Sequence, residues 1–345
     1  MTKFAKRRLL VGALLLLVLA GVAFANRSAI RAAYDSISGA DFSGTGHGSV
    51  VLQISAGDDG ATIAQELVDL GVVKTYRTVY KQIVARDFVF YPGSYQLKLE
   101  MSSSAALDAL ANQDNRISNK VTIKEGLRIS QVLSQLAKAT SIQQSSLEEA
   151  AGQLSKIGVP EGEVSAEGWL YPATYDFDPG ISAQKVLSIM VERTKTELRK
   201  YGVAEKDWHR TLTLAALIQK EARQEADFYR VSRVFLNRLD QGMHLQSDAT
   251  VSYGVNGSTV STSAADRAAA NGYNTYRYPG LPIGPISAPG SIAIDAALHP
   301  AVGKWLYFCA VNLATGETVF SETYSEHQKA VRQWQDWMRK NPGYE

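Results

Sequence analysis

An uncharged apolar segment near the N-terminus limits where this chain can fold. Leu9 to Ala25 carry neither a charge nor a hydrogen-bonding side chain, and basic residues precede them. These basic residues are Lys3, Lys6, Arg7 and Arg8. A run of this length is at the short end of a membrane-spanning helix. Because flanking positive charge stays in the cytoplasm, we predict a cytoplasmic basic tail over residues 1–8, a transmembrane anchor over residues 9–25 and an extracytoplasmic remainder.

A cleaved signal peptide is the alternative interpretation of the same segment. Ala23-Phe24-Ala25 fits the small-residue pattern that precedes a signal-peptidase cut. The apolar run is longer than the usual core of a signal peptide, which favours an anchor that is retained. In both cases the rest of the chain lies where ATP and nicotinamide cofactors are scarce. The sequence has neither a P-loop nor a dinucleotide-binding glycine fingerprint, so we expect no cofactor.

Charge and cysteine content exclude several other classes of protein. The formal net charge is +2, and the N-terminal tail contributes +4 of it, so the rest carries −2 and is not predicted to bind nucleic acid. Cys309 is the only cysteine, which excludes an internal disulfide and a Cys-ligated zinc site. It lies in an apolar run that is predicted to be a strand with a buried thiol. The histidines are far apart and form no HExxH motif, so we expect no metal site.

The pattern of apolar residues after the anchor predicts an α+β protein with more than one folded region. Asp41 to Ser49 is rich in Gly, Ser and Thr, which indicates a spacer over residues 26–49. A short strand followed by an amphipathic helix is predicted twice, once in each of two small α+β regions. We place these regions at residues 50–118 and 119–165, before a larger mixed α+β domain at residues 166–340. The small regions are candidates for carbohydrate or partner binding, and a packing platform is an equally good interpretation.

The strongest candidate for chemistry lies in a segment without Pro or Gly. Thr211 to Leu239 is predicted to form one or two helices, and Glu221 follows apolar residues there at helical spacing. A carboxyl group in that position is half-buried, and desolvation raises the pKa of such a group. A glutamate that stays protonated near neutral pH can donate a proton to a leaving oxygen. The alternative is a solvated ion pair with Lys220 or Arg223.

Polar and turn-forming segments follow these helices. Leu245 to Gly254 and Tyr273 to Tyr276 are dense in short polar side chains, which suit the recognition of hydroxyl and amide groups. Seven of the twelve residues from Pro279 to Gly290 are Pro or Gly, so that segment is neither helix nor central strand. It is predicted either to wall a groove for an extended polymer or to be a structural crossover. Trp169 and Tyr171, earlier in the chain, are equally suited to stacking on sugar rings and to core packing.

Several motifs in this order resemble those of the YceG/MltG family of endolytic murein transglycosylases. Glu167 to Tyr175 resembles the family's E-G-[YFW]-L-x-P-x-T-Y motif, and Ala216 to Glu221 resembles the segment around its catalytic glutamate. Further motifs follow in the family's order at residues 234–239, 245–254, 273–276, 280–286, 289–290, 299–300 and 320–327. The resemblance begins near Val50 and implies a LysM-like region over residues 50–118 and a catalytic domain over residues 166–340.

The resemblance also implies roles for individual residues. The family's catalytic glutamate falls on Glu221, and the first acid of its motif is Gln219 here, which leaves Glu221 as the candidate at that place. A later acid of the family is matched by Asp227, a candidate for a supporting role together with Glu167. Side chains of the polar segments are candidates for substrate contacts. These candidates are Asn237, Gln246, Asp248, Thr250, Tyr253 and Asn274.

The implied activity is cleavage between N-acetylmuramic acid (MurNAc) and N-acetylglucosamine (GlcNAc) in nascent peptidoglycan. The product would carry a 1,6-anhydro-MurNAc end, and the cut would end elongation of the glycan strand. The implied partners are glycan strands, the bacterial cytoplasmic membrane and peptidoglycan synthases, with no metal or cofactor. Two alternatives remain open, a muramidase that uses water and a wall-binding or cell-division scaffold without catalytic activity.

Overall fold

The computed structural model describes Arg27, residues 39–257 and residues 262–343. These residues form two compact units, the first ending at Ser118 and the second beginning at Asn119. The predicted basic tail and transmembrane anchor, residues 1–8 and 9–25, lie outside the described residues. Among the helices that are described, none combines the length and apolar character needed to cross a membrane.

The first unit is a three-stranded sheet with helices packed against it. Its strands lie in the order β1-β2-β3, and both neighbouring pairs are antiparallel. The strands are β1 (Thr45–Ile54), β2 (Gly93–Met101) and β3 (Arg116–Ile117), and the helices are α1 (Gly60–Asp69), α2 (Tyr76–Ala85) and α3 (Ser103–Ala111), with a 3-10 turn at Gln113–Asn115. Leu52, Leu67, Tyr95 and Leu97 are buried in a core that belongs to this unit alone.

Strand β1 begins at Thr45, so it includes the last five residues of the predicted spacer. Thr45 pairs with Met101, and His47 pairs with Leu99, so part of the glycine-rich segment belongs to the sheet. Gly46 explains why glycine is needed there: its φ is +74°, and a Cβ atom would lie 2.4 Å from the carbonyl oxygen of Leu99. The glycines that indicated a flexible spacer therefore permit a close approach between strands.

The second unit combines two-stranded sheets with a helical core. Its strands are β4 (Asn119–Thr122), β5 (Thr174–Phe177), β6 (Tyr307–Asn312) and β7 (Glu317–Ser321). Its helices are α4 (Ile129–Thr140), α5 (Gln144–Gly152), α6 (Ala183–Lys200), α7 (Trp208–Glu221), α8 (Glu225–Asp240), α9 (Asp248–Gly254), α10 (Ala264–Ala268), α11 (Ser291–Leu298) and α12 (Tyr324–Lys340), with 3-10 turns at Leu154–Ile157 and Glu205–Asp207. The mixed α+β class predicted from the sequence is confirmed.

The predicted regions 119–165 and 166–340 share one core in this unit. Strand β4 pairs antiparallel with β5, and Val121 lies opposite Tyr175. Residues of both regions, among them Leu133 and Trp169, belong to the same cluster of buried apolar side chains. The long-range pairing of β4 with β5 could not be read from the local pattern of strand, turn and helix, which made residues 119–165 look like a separate module.

Helix α7 is the centre of this core. Every side chain from Thr211 to Ile218 is buried, and α8 and α11 pack against the helix. The predicted segment 211–239 contains two helices, because Ala222 adopts an extended conformation and ends α7. Helix α8 then begins with Glu225 and Asp227 in its first turn, where negative charge is favourable. The break leaves Glu221 as the last residue of α7.

The segment rich in proline and glycine packs against α7. The Ser287 hydroxyl donates to the carbonyl of Ala216 over 3.3 Å, and the backbone N–H of Gly290 donates to Oε1 of Gln219 over 2.9 Å. Residues 284–290 are all buried. This placement favours the interpretation of the segment as a structural crossover over its interpretation as a groove wall. It also gives the Gln219 side chain a structural role, because that side chain hydrogen-bonds to the segment.

The sequence also singled out Trp169, Tyr171 and Cys309, and the structure shows how far each of them is buried. Trp169 is fully buried and packs edge-on against Trp208 at 6.1 Å, and Tyr171 is also buried, so both belong to the core. Cys309 lies in a strand as predicted but is only partly buried. The reason is that β6 and β7 form a two-stranded hairpin, which cannot cover both of its faces.

We expect Thr323→Ala to destabilise the fold by about 1 kcal/mol. Thr323 accepts the N–H of Glu326 over 3.3 Å, and the Glu326 carboxylate accepts the N–H of Thr323 over 3.1 Å, so the two residues cap α12 reciprocally. Urea denaturation measures the loss, with Ser325→Ala at an exposed neighbouring site as the control. Equal stability of the two variants would show that α12 does not depend on this cap.

Candidate active site

The carboxyl group of Glu221 lies at the C-terminal end of α7, directly before the chain turns into α8. The Ser247 hydroxyl donates to its Oε1 atom over 2.5 Å. Its Oε2 atom has no hydrogen-bond partner among the described residues. Ser247 immediately precedes α9, so a contact between two helix ends orients the carboxyl group and leaves one oxygen for a substrate.

The surroundings of Glu221 favour its protonated form. Burial has the largest effect and raises the pKa of the Glu221 carboxyl above its ordinary value, and the nearby charge of Asp248 raises it further. The hydrogen bond from Ser247, which is the second-largest effect, and the charge of Lys220 act in the opposite direction, but the effect of burial exceeds each of them. The raised pKa expected from the helical spacing is therefore present in the structure.

Two cavities meet at this carboxyl group, and Glu221 and Asp248 line both. The first has a volume of about 280 Å³ and is walled largely by rings; we call it the aromatic cavity. Its rings are those of Phe235, Tyr276, Tyr307, Phe308, Tyr324 and His327. The second has a volume of about 590 Å³ and contains Arg128, Lys220 and Arg223; we call it the basic cavity. Together they make a groove with Glu221 between its halves.

A larger cavity of about 780 Å³ lies elsewhere in the same unit. It is lined by α6, by β5 and by the turn at Leu154–Ile157, and no predicted site residue faces it. Size alone therefore does not identify the site. The groove at Glu221 is the better candidate because it holds carboxyl groups, hydrogen-bonding groups and exposed rings together.

The aromatic cavity has a rigid wall. The His327 ring stacks on Tyr307, with ring centres 5.2 Å apart. Burial lowers the pKa of His327, which favours its neutral form. The Arg238 guanidinium is occupied by backbone carbonyls, including those of Leu306 at 2.7 Å and Leu245 at 2.8 Å. The cavity therefore presents flat aromatic faces, and backbone carbonyls engage the charge of its arginine, which suits a neutral sugar ring.

Asp248 is the second carboxylate of the groove. Its Oδ1 atom accepts hydrogen bonds from the hydroxyls of Tyr276, over 3.1 Å, and Thr262, and Arg267 lies 3.9 Å away. The side chain is 41% exposed, so the group remains in contact with solvent in the groove. Asp248 thus adds fixed negative charge beside Glu221.

The predicted substrate contacts divide into two groups. Gln246 and Asp248 line the aromatic cavity. The other predicted residues hydrogen-bond to protein groups instead. The Thr250 hydroxyl donates to the carbonyl of Ser247 over 2.7 Å. The Asn274 amide donates to the carbonyls of Arg267 and Ala269.

Asn237 has the same kind of role as Thr250 and Asn274. Its amide donates to the carbonyls of Gly303 over 3.2 Å and Trp305 over 2.9 Å, next to β6. These three side chains hold the backbone around the groove, and the structure does not place them in the lining of either cavity. The polar pattern of the sequence did not distinguish side chains that line a cavity from side chains that support the backbone around it.

Glu167 is buried and pairs with the partly buried Tyr253 outside the groove lining. Both carboxylate oxygens of Glu167 accept the N–H of Ile129, at 3.0 and 3.1 Å, and the Tyr253 hydroxyl also hydrogen-bonds to this carboxylate. Burial raises the pKa of Glu167 to about 7. Because Ile129 begins α4 and Tyr253 belongs to α9, Glu167 joins these helices and holds Arg128 beside the basic cavity.

Asp227 lies in the first turn of α8 and is buried. Its Oδ2 atom has no hydrogen-bond partner among the described residues, and the residue lines neither cavity. Its position favours stabilisation of the positive end of the helix dipole. A supporting role for Asp227 in the reaction stays a prediction.

The sequence did not single out several residues of the groove. Ser247 lies inside a polar motif that was recognised, and its position between Gln246 and Asp248 was the available signal. No motif in the sequence indicated that Tyr307, Tyr324 or Arg128 belongs to the groove, because long-range packing brings these residues there.

We expect Ser247→Ala to slow turnover about 3- to 10-fold and to move the alkaline limb of the pH–rate profile to higher pH. Loss of the hydroxyl removes an interaction that lowers the pKa of Glu221, so the acid stays protonated to higher pH. Initial rates of glycan cleavage across the pH range measure both effects. Ser146→Ala, which removes an exposed hydroxyl from α5, is the control. An unchanged limb would show that Ser247 does not act on the titrating acid.

The chain is similar to known proteins over most of its length. The sequence profile of the YceG-like family matches residues 52–333. An endolytic murein transglycosylase of Bacillus subtilis is 30% identical over 311 residues, which are 83% of this chain and 85% of that protein. One of Streptococcus pneumoniae is 29% identical over 174 residues, or 48% of this chain and 31% of that protein.

A solved structure agrees with the sequence comparison. A crystal structure of a yceG-like protein from Listeria monocytogenes superposes with a TM-score of 0.55 and 27% identity. The match covers 82% of this chain and 99% of that one. The resemblance predicted from the motifs is confirmed, and the chain belongs to the YceG-like family.

Proposed function

We propose that this chain is an endolytic lytic transglycosylase that cuts the MurNAc–GlcNAc bond of peptidoglycan, with Glu221 as its acid and base. It is a murein transglycosylase by family, and its relatives are named endolytic murein transglycosylases. The observation that carries the assignment of the site is the Glu221 carboxyl group, which has a raised pKa and lies where two cavities meet.

The mechanism uses one carboxyl group in two proton transfers. Protonated Glu221 donates its proton to the oxygen that bridges MurNAc and GlcNAc, and the bond from that oxygen to C1 of MurNAc breaks. The N-acetyl carbonyl of MurNAc stabilises the positive centre at C1. The 6-hydroxyl of the same sugar then attacks C1 and gives its proton to the Glu221 carboxylate. The products are a free GlcNAc hydroxyl and a 1,6-anhydro-MurNAc end, and the enzyme is restored.

The shape of the groove supports a cut within a strand. The aromatic and basic cavities lie on either side of Glu221, so sugars can extend in both directions from the scissile bond. Cleavage of nascent strands would end their elongation, which makes peptidoglycan synthases the expected partners. Assays on uncrosslinked nascent glycan are therefore the appropriate starting point.

A water-using muramidase is the second candidate, and Asp248 is the observation that favours it. Many glycosidases use a pair of carboxyl groups, and Asp248 lines both cavities with Glu221. In that reaction water replaces the 6-hydroxyl, and the MurNAc end is a reducing sugar. A wall-binding scaffold that lacks activity is the third possibility for the same fold.

Mass spectrometry of digested nascent glycan distinguishes the three candidates. Our proposal expects MurNAc ends that are lighter by one water molecule than reducing ends. Reducing ends alone would establish the muramidase. If neither the native chain nor Glu221→Gln releases fragments, the scaffold is favoured.

We also propose a single-pass location in the bacterial cytoplasmic membrane, with residues 26–345 outside the cytoplasm. The basic tail at residues 1–8 and the apolar run at residues 9–25 support this orientation. The compact unit that ends at Ser118 supports a separate LysM-like region before the catalytic unit. Membrane fractionation, with mass analysis of the N-terminus, tests retention of the anchor. A mature protein that begins at Asn26 would establish a cleaved signal peptide instead.

A further inference from the structure

The basic cavity contains three cations that have no carboxylate partner among the described residues. The Arg128 guanidinium lies over the ring of Tyr253 at 5.2 Å and donates to the Ser252 hydroxyl over 3.3 Å. Lys220 donates to the carbonyl of Gly126 over 3.4 Å. Arg223 follows in the exposed break between α7 and α8. Neutral contacts orient two of these groups, and none of the three charges is neutralised by an ion pair.

Like charges are crowded in this cavity. Burial and the charge of Arg128 lower the pKa of the Lys220 ammonium, and the charges of Glu221 and Glu167 oppose this shift only in part. Glu221 and Asp248 line the same cavity, but within the described part of the chain neither comes within salt-bridge distance of these cations. A concave surface with unpaired positive charge concentrates anions, and a bound carboxylate would relieve the repulsion.

The two halves of the groove differ in charge, and so do the two sugars of peptidoglycan. GlcNAc is neutral, whereas MurNAc carries a peptide stem with free carboxylates. The aromatic cavity offers rings, and its Arg238 is occupied by backbone carbonyls. The basic cavity offers free charge on the other side of Glu221.

On the basis of the proposed function, we infer that Arg128, Lys220 and Arg223 bind carboxylates of the peptide stem on the MurNAc whose bond is cut. The neutral GlcNAc then occupies the aromatic cavity. Charge pairing in the basic cavity fixes the direction of the strand across Glu221. The enzyme therefore prefers strands that carry stems over strands from which the stems have been removed.

The test is the ratio of kcat/KM on peptide-bearing strands to kcat/KM on denuded strands of the same length. We expect a ratio of about 10 or more for the native chain, because one charged contact is worth about tenfold. Arg223→Gln, which removes an exposed cation, should reduce the ratio about tenfold. Arg210→Gln makes the same charge change at an exposed place near the other end of α7 and should leave the ratio unchanged.

Strands with amidated stem carboxylates separate charge from size. They should behave like denuded strands, and the native preference should also weaken at high salt, because exposed charges are screened. Equal rates on peptide-bearing and denuded strands would overturn this inference and leave the proposed function intact. A preference that survives amidation would also overturn it. Absence of cleavage on every strand would overturn the proposed function and this inference with it.

Discussion

Glu221→Gln is expected to reduce strand cleavage by about 10³-fold or more while the fold is retained. Glutamine has almost the same shape as glutamate, and its Oε1 atom can still accept the hydrogen bond from Ser247. It has no acidic proton for the bridging oxygen, and it cannot later accept a proton from the 6-hydroxyl. Both proton transfers in the proposed mechanism are therefore lost. Release of soluble glycan fragments measures the effect.

Glu225→Gln is the matched control for this prediction. Glu225 is exposed at the start of α8, only four residues from Glu221, and it lines neither cavity. The same chemical change there should leave cleavage unchanged. If the two variants cleave equally well, Glu221 is not the acid and another group in the groove performs the reaction. Circular dichroism establishes that both variants are folded.

The local pattern of the sequence made Glu221 a candidate, with a solvated ion pair as the alternative, and it did not indicate where the helix ends. Residues 211–239 contain no Pro or Gly, so nothing local marked the break at Ala222. The structure shows the break as an extended conformation at Ala222, after which α8 packs against α7. The position of Glu221 at a helix end, which makes its carboxyl group accessible from a groove, follows from this break.

The remaining parts of the site depend on contacts between distant residues. Ser247 meets Glu221 across 26 positions, and β6 and α12 bring Tyr307 and His327 into the groove from the last part of the chain. The local spacing of apolar residues along the chain does not predict such contacts. A polar residue in a recognised motif can equally well contact substrate, as Gln246 is placed to do, or brace the backbone, as Thr250 does.

Glu167 shows how a motif residue can act through structure. The sequence predicted a supporting role for it, and the structure gives it a buried place between α4 and α9. It lines neither cavity, so its effect on the site passes through the position of Arg128 at the start of α4. This role predicts an effect on stability that changes with pH.

We expect the stability of the native chain, relative to Glu167→Gln, to fall by about 3 kcal/mol between pH 4 and pH 8. The pKa of Glu167 is about 7 in the fold, compared with an ordinary value of 4.5. Between these values the folded state holds a proton that the unfolded state has lost, so the free energy of unfolding decreases as pH rises. The glutamine side chain does not ionise and avoids this loss.

Urea denaturation at a series of pH values measures this difference. Glu161→Gln, a change at an exposed glutamate a few residues earlier, should follow the native chain at every pH. The native and Glu167→Gln curves should separate mainly between pH 4.5 and about pH 7, because over this range the Glu167 carboxyl ionises in the unfolded chain while burial keeps it protonated in the fold. Parallel curves would show that Glu167 ionises in the fold near its ordinary pKa, so that its hydrogen bonds to Ile129 and Tyr253 offset the effect of burial.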